Sequence, residues 1–178
     1  DKLAELWKTW EIWFADVEES HTTLPALVFF RSPRSDTSWV TSAGAVLDSA
    51  AITLSSIDVP REMSAALCIR AGFIAFERIA HYFDIPHPHA PKFPETPISI
   101  TRAEYDDLIN RLEAAGLPIK PDREQAWLDF AGWRVNYDRT LLILCSLVMI
   151  PPNVPWSSDR APKFKLPPLF LKKKKHTH

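Results

Sequence analysis

The sequence is poor in glycine, in cysteine and in long apolar runs. Only four of its 178 residues are glycine, and none of the motifs GxGxxG, GxxxxGK[ST] or HExxH occurs. Their absence excludes a Rossmann fingerprint and a phosphate-binding P-loop. The longest apolar run, Leu141–Ile150, is interrupted by Ser146 and is about half as long as a bilayer-spanning helix. The sequence therefore predicts no transmembrane helix, and no signal peptide is recognised.

The overall composition is that of an ordinary globular domain. Hydrophobic residues make up 46% of the chain and charged residues 24%, so one domain with one core is expected. The two cysteines, Cys68 and Cys145, lie in apolar stretches, and they are predicted to be reduced core thiols of a cytoplasmic protein.

The charge is divided between an acidic body and a basic tail. Residues 161–178 contain six lysines and no acid, which leaves −7 on the first 160 residues because the total is −1. We expect a helical domain over residues 1–160 and an extended, proline-rich tail over 161–178. Lys172, Lys173, Lys174 and Lys175 are candidates for contact with anionic lipid, but a solvated end is the favoured interpretation. The acidic body disfavours nucleic-acid binding.

Helical periodicity dominates the first 160 residues, and no strand alternation competes with it. Thr101 and Glu104 form a capping-box pattern, and Gly116 is placed to end the helix that this box begins. Pro151 and Pro152 end the last helix. The sequence predicts an all-α fold, an irregular bundle of about five helices. These are expected at about residues 2–20, 37–57, 60–83, 101–116 and 122–149, with a proline-rich loop over 84–98.

Two groups of polar residues are candidates for chemistry. His81, Asp84, His87 and His89 bring metal-ligating residue types together, but an exposed proline-rich connection is the favoured interpretation, and no metal or cofactor is predicted. Arg134 and the residue four positions later, Asp138, fall on an apolar helical stripe. They predict a buried ion pair that is weak evidence for stability and weaker evidence for catalysis.

One segment resembles a known family. Residues Trp10–His21, Leu24–Pro25, Phe30–Ser32 and Ser38–Trp39 resemble a soluble region that follows the pore in bacterial membrane proteins of the two-transmembrane, potassium-channel type. In that pattern a Trp-rich helix ends in Glu-Ser-His, a Leu-Pro step follows, and Phe-Arg-Ser leads to a Ser-Trp that opens the next helix. The resemblance is closest over residues 7–57, is looser to about residue 160, and does not include the lysine tail.

The resemblance implies a cytoplasmic domain attached to a channel-like pore at the bacterial inner membrane. We expect a non-enzymatic domain for assembly or regulation, with its own pore region and a possible homo-oligomer as partners. Glu19, His21 and Arg31 are the candidates for polar coupling, with Trp39 packed beside them. The start at Asp1 rather than Met agrees with an excised domain. The alternative is a stand-alone small helical enzyme or ligand-binding protein with a polar site around Glu19, His21 and Arg31.

Overall fold

A computed structural model describes residues 2–23 and 38–163, with the backbone alone for residues 21 and 22. The fold of these residues is all-α, as predicted. Six α-helices and one short 3-10 turn are present in the described ranges. Their bounds are α1 Lys2–Thr23, α2 Trp39–Ser56, α3 Met63–Tyr82, α4 Arg102–Ala114, α5 Arg123–Arg134, α6 Asp138–Leu147 and the 3-10 turn Ser158–Arg160. Residues 164–178, where the basic tail is predicted, lie outside the described residues.

The first three helices pack through their apolar faces. Phe14 of α1 lies against Phe76 of α3, with ring centroids 6.2 Å apart. Glu18, about one turn further along α1, pairs with Arg78, two residues further along α3. These contacts advance in the same direction, so α1 and α3 run parallel. α2 runs antiparallel to both, and its first residue, Trp39, lies against Phe76.

Close approach of helices at α2 and α3 depends on two glycines. A Cβ atom built on Gly72 of α3 would lie 2.5 Å from a methyl carbon of Leu47, and one on Gly44 of α2 would lie 2.9 Å from a methyl carbon of Leu141. Both leucine side chains are fully buried. Gly72 and Gly44 therefore set how closely α2 packs against α3 and α6.

The predicted helix boundaries near α4 and α5 are confirmed. The Thr101 hydroxyl accepts from the Glu104 amide, and the Glu104 carboxylate accepts from the Thr101 amide at 2.8 Å, which completes the capping box. Gly116 adopts a left-handed φ of 88° after α4, as a helix-ending glycine does. Asp122 caps α5 by accepting from the Gln125 amide at 2.9 Å.

Two helices differ from the prediction. The segment predicted as one helix over 122–149 is divided at residues 135–137, where the Tyr137 amide donates to the Arg134 carbonyl at 3.1 Å. No proline or glycine marks this turn. The spacing of apolar residues therefore predicted one helix that continues through it. α3 begins at Met63 rather than near Pro60, because the Glu62 side chain caps it.

None of the helices in the described ranges has both the length and the apolar character that a membrane crossing requires.

Candidate functional site

A buried arginine, Arg134, is the centre of the most extensive polar cluster in the described residues. Its side chain is fully buried. Nη1 donates to both carboxylate oxygens of Asp48 on α2 at 2.5 and 2.7 Å, and Nε donates to Asp138 at 2.7 Å. Nη2 donates to the Trp156 carbonyl at 2.7 Å, and the Tyr137 hydroxyl donates to Asp48 at 2.8 Å. We call these five residues the Arg134 network.

The network extends into the connection before α4. The amide and the hydroxyl of Ser99 donate to the two oxygens of Asp138 at 2.9 and 2.7 Å. The Ser99 carbonyl accepts from Arg160 at 2.6 Å, and the same guanidinium forms hydrogen bonds with Glu104 at the start of α4. Four separate parts of the chain are therefore joined: α2, the α5–α6 turn, the connection before α4, and the C-terminal segment.

Burial and mutual attraction set the charges within the network. Desolvation raises the pKa of Asp48, although Arg134 and the Tyr137 hydroxyl oppose this by stabilising the carboxylate. Desolvation acts to lower the pKa of Arg134, but Asp48 and Asp138 outweigh it and the net shift is upward. Burial also raises the pKa of Tyr137 well above its ordinary value. The arginine stays charged, and its hydrogen bonds hold the carboxylates of Asp48 and Asp138 in place.

The C-terminal segment is attached to the network through Trp156. This residue has a left-handed φ of 61°, which is a rare conformation for a bulky side chain. Its carbonyl accepts from Arg134, and its indole lies 5.9 Å from the ring of Phe130 on α5, measured between centroids. The contacts of Trp156 with α5 hold the backbone in this strained conformation.

Two grooves open on either side of the Arg134 network. One, of about 750 Å³, lies between α2 and α4 and includes Asp48 and Trp156 in its walls. The other, of about 740 Å³, lies between α6 and the proline-rich connection and includes Asp138. A third pocket, of about 520 Å³, includes Lys120 and Trp133. The two carboxylates that bind Arg134 thus lie at the walls of two different grooves.

The residues predicted for coupling are only partly described. Glu19 lies on an exposed face of α1. Trp39 is half-buried, with its indole 6.4 Å from that of Trp13 and 6.3 Å from the ring of Phe76, measured between centroids. The His21 side chain and all of Arg31 lie outside the described residues. A common site of Glu19, His21 and Arg31 therefore stays a prediction.

The histidines and cysteines of the described residues were further candidates for chemistry. No cluster of three or more histidine, cysteine, aspartate or glutamate side chains in the described ranges is arranged to hold a metal ion, and the His87 Nδ1 lies 2.9 Å from the Ile85 carbonyl. Burial raises the pKa of both Cys68 and Cys145 to about 12. Neither thiol is a reactive nucleophile at neutral pH.

Sequence reasoning found the pair of Arg134 and Asp138, and the structure confirms it at 2.7 Å. It missed Asp48, Tyr137 and Trp156. One signal for Asp48 was present, since it is the only charged residue in α2 and its neighbours Leu47 and Ala51 are apolar. A lone acid on an otherwise apolar helix indicates a partner elsewhere in the fold.

Comparison with known proteins adds no relative. No protein-family model matches the chain, and no curated protein or solved structure is significantly similar to it.

Proposed function

We propose that the chain is a non-enzymatic assembly or regulatory domain of a bacterial membrane protein of the two-transmembrane ion-channel type. It acts on the cytoplasmic side of the inner membrane. The resemblance of residues 7–57 to the region that follows the pore in such proteins supports this proposal. The single observation that carries it is an apolar face of α1 that the other described residues cover incompletely.

The buried part of this apolar face of α1 packs against α3. Trp7 and Phe14 are 2% and 0% exposed. Leu6 lies beside them and is 45% exposed, while Trp10 and Trp13 are only half-buried. Leu6, Trp10 and Trp13 are spaced three or four residues apart and therefore follow one stripe of the helix. An apolar stripe that extends beyond its own core is typical of a surface that contacts another polypeptide.

In this proposal α1 contacts the pore region or a neighbouring copy of the domain. A domain of this kind regulates a pore by making different contacts in two arrangements of the pore helices, which shifts the balance between them. Trp39 is suited to such coupling because it lies against α1 through Trp13 and against α3 through Phe76. Glu19, His21 and Arg31 are the proposed polar residues of this coupling.

The lysine cluster belongs to the same proposal. Lys172, Lys173, Lys174 and Lys175 lie outside the described residues. Beside an anionic membrane surface each contributes about 1 kcal/mol of attraction. They are therefore proposed to hold the end of the domain near the cytoplasmic leaflet.

The first test reads the gene immediately upstream of the Asp1 codon. We expect two apolar spans of about 20 residues each, on either side of a glycine-containing filter loop. A reading frame that starts a few codons upstream, without such spans, contradicts the channel setting. It would favour the alternative of a stand-alone enzyme or ligand-binding protein.

The second test measures assembly of the full-length membrane protein in detergent by light scattering. Leu6→Ser is expected to lower the oligomeric state because it removes apolar contact at the α1 stripe. Leu128→Ser is the matched control, since Leu128 is 42% exposed but lies on α5. Equal behaviour of both variants and the unmodified protein would show that the α1 stripe has no part in assembly.

A further inference from the structure

The groove beside α6 has a composition that points to a ligand. We call it the α6 groove. It is about 740 Å³ in volume, which is within the range of small-molecule sites. One wall is the proline-rich connection, including Pro86, Pro97 and Ile98, and the other is α6, including Leu142 and Ile143.

The walls of the α6 groove are fixed in place by hydrogen bonds. Ser99 is held on one side by Asp138 and on the other by Arg160, as described for the Arg134 network. At the other end of the connection, the Ile85 amide donates to the Ala80 carbonyl at 2.8 Å. The prolines between these points have a fixed φ and no amide donor. A wall of this kind is preorganised and offers an aliphatic ligand little polar surface to desolvate.

The apolar lining is aliphatic rather than aromatic. Apart from the imidazole of His87, no described residue that lines the groove carries an aromatic ring. Ile98, Val135, Leu142 and Ile143 present branched alkyl groups, together with proline rings. Such a surface packs against a flexible alkyl chain and provides no platform for stacking a flat ring.

One cation in the lining has no acidic partner. Arg139 is exposed in the first turn of α6, and within the described ranges its guanidinium forms no ion pair. The acid in the lining, Asp138, is already held by Arg134 and Ser99. The other arginine, Arg160, is paired with Glu104. In a body with an excess of acidic residues, this places an uncompensated positive charge at the mouth of an apolar groove.

We propose that the α6 groove binds a single-chain amphipathic anion of the fatty-acid class, with its alkyl chain against Ile98, Leu142 and Ile143 and its carboxylate at Arg139. A guanidinium binds a carboxylate through two parallel hydrogen bonds, so it fixes the head group in position and selects its charge. Burial of each methylene raises the affinity about fourfold, which makes the affinity depend on chain length. The proposal does not rest on attachment to a channel, because the groove is formed within this domain.

The test measures binding of laurate, below its micellar concentration, to the full chain by titration calorimetry. We expect one saturable site, at least tenfold weaker binding of hexanoate, and at least tenfold weaker binding of dodecyltrimethylammonium, which has the same chain length and the opposite charge. Arg139→Gln is expected to lower the laurate affinity at least tenfold. Arg111→Gln is the matched control, since Arg111 is an exposed arginine that lines the groove between α2 and α4, and it is expected to bind laurate as the unmodified chain does.

A second variant tests the apolar part of the site. Ile98→Trp places a large ring at a half-buried position of the wall and is expected to abolish laurate binding while Arg139 remains. Circular dichroism checks that each variant is folded, and Arg139→Gln, at an exposed position, keeps the test decisive if Ile98→Trp does not fold.

Several results would overturn the proposal. They are the absence of saturable binding, equal affinity for laurate and dodecyltrimethylammonium, and an unchanged affinity in Arg139→Gln. A loss of affinity in Arg111→Gln would place the ligand in the other groove. Binding that begins only after residues 164–178 are deleted would identify the chain's own C-terminal residues as the occupant.

Discussion

The stability of the fold is predicted to depend on the guanidinium of Arg134. Replacement by methionine keeps a side chain of similar length but removes all of its hydrogen-bond donors. Three of these hydrogen bonds are made to the carboxylates of Asp48 and Asp138 and one to the Trp156 carbonyl. In Arg134→Met two largely buried acids, with side chains 12% and 7% exposed, lose their counter-charge.

The expected loss of stability follows from these contacts. Removing one partner of a buried ion pair costs about 3–5 kcal/mol because the remaining charge is left uncompensated. The unpaired Trp156 carbonyl adds about 1–3 kcal/mol where water does not reach it. Because these costs overlap as the site relaxes, we expect the free energy of unfolding to fall by about 4 kcal/mol. A domain of ordinary stability has about 5–15 kcal/mol in total.

Urea unfolding, followed by far-ultraviolet circular dichroism, measures this loss. Arg102→Met is the control, since Arg102 also contacts two acids, Asp106 and Glu124, but its side chain is 35% exposed. Ion pairs of that kind contribute about 1 kcal/mol or less. A loss below about 1 kcal/mol in Arg134→Met, or one equal to that of the control, would refute the reasoning, because the network would then contribute no more than a surface pair.

The pH dependence of the same variant provides a second readout. Burial raises the pKa of Asp48 even when Arg134 is present, and removal of the arginine raises it further. A carboxyl group with a raised folded-state pKa stabilises the fold below its unfolded pKa, and this stabilisation is lost as the pH rises through the folded-state value. The deficit of Arg134→Met is therefore expected to grow from pH 4 to pH 7. A deficit that does not change with pH would contradict the assignment to buried carboxylates.

Three further predictions concern other parts of the fold. A hydrogen bond from Arg160 lowers the pKa of Glu104 from 4.5 to about 2. The ionised carboxylate therefore stabilises the folded state, by about 1 kcal/mol because the pair is partly exposed. This stabilisation is lost as the pH falls from 4.5 toward 2. Glu104→Gln should flatten that part of the stability profile in acid titrations followed by circular dichroism, and an unchanged profile would contradict the pairing. Gly72→Ala should destabilise the fold by about 1–3 kcal/mol through the clash with Leu47. Gly132→Ala, where a Cβ meets no atom within 4 Å, should stabilise it by about 0.5–1 kcal/mol. If both variants shift the midpoint of urea unfolding in the same direction, this account is contradicted. The two buried cysteines should react slowly with a disulfide reagent in the native state and fully in urea, and rapid native reaction would show that the thiols are accessible.

Most of the helices were predictable because their signals are local. The capping box of Thr101 and Glu104, the helix end at Gly116 and the helix start near Asp122 each depend on a few adjacent residues, and all three are confirmed. The division between α5 and α6 was not predictable in this way. Its turn contains Val135 and Tyr137 rather than proline or glycine. The turn is stabilised by the hydrogen bonds of the Arg134 network, which join it to α2.

In the candidate site, too, the contacts between nearby residues were predictable and those between distant residues were not. The pair of Arg134 and Asp138 is visible in sequence because the two residues are one helical turn apart. Asp48 and Trp156 are separated from Arg134 by 86 and 22 positions, and no local pattern relates such distant residues. The same holds for the α6 groove, whose two walls come from the proline-rich connection and from α6.

The sequence by itself determined the all-α class, the positions of most helices, the burial of both cysteines and one ion pair, since these depend on periodicity and on neighbours within one turn. The tertiary structure alone decided which acids neutralise Arg134, where the last predicted helix divides, and which residues of the proline-rich connection and of α6 line one groove. These features form only when segments that are distant in sequence pack together and exclude water from the groups between them. The cost of leaving a buried charge unpaired then selects the partners, and that cost exists only in the folded chain.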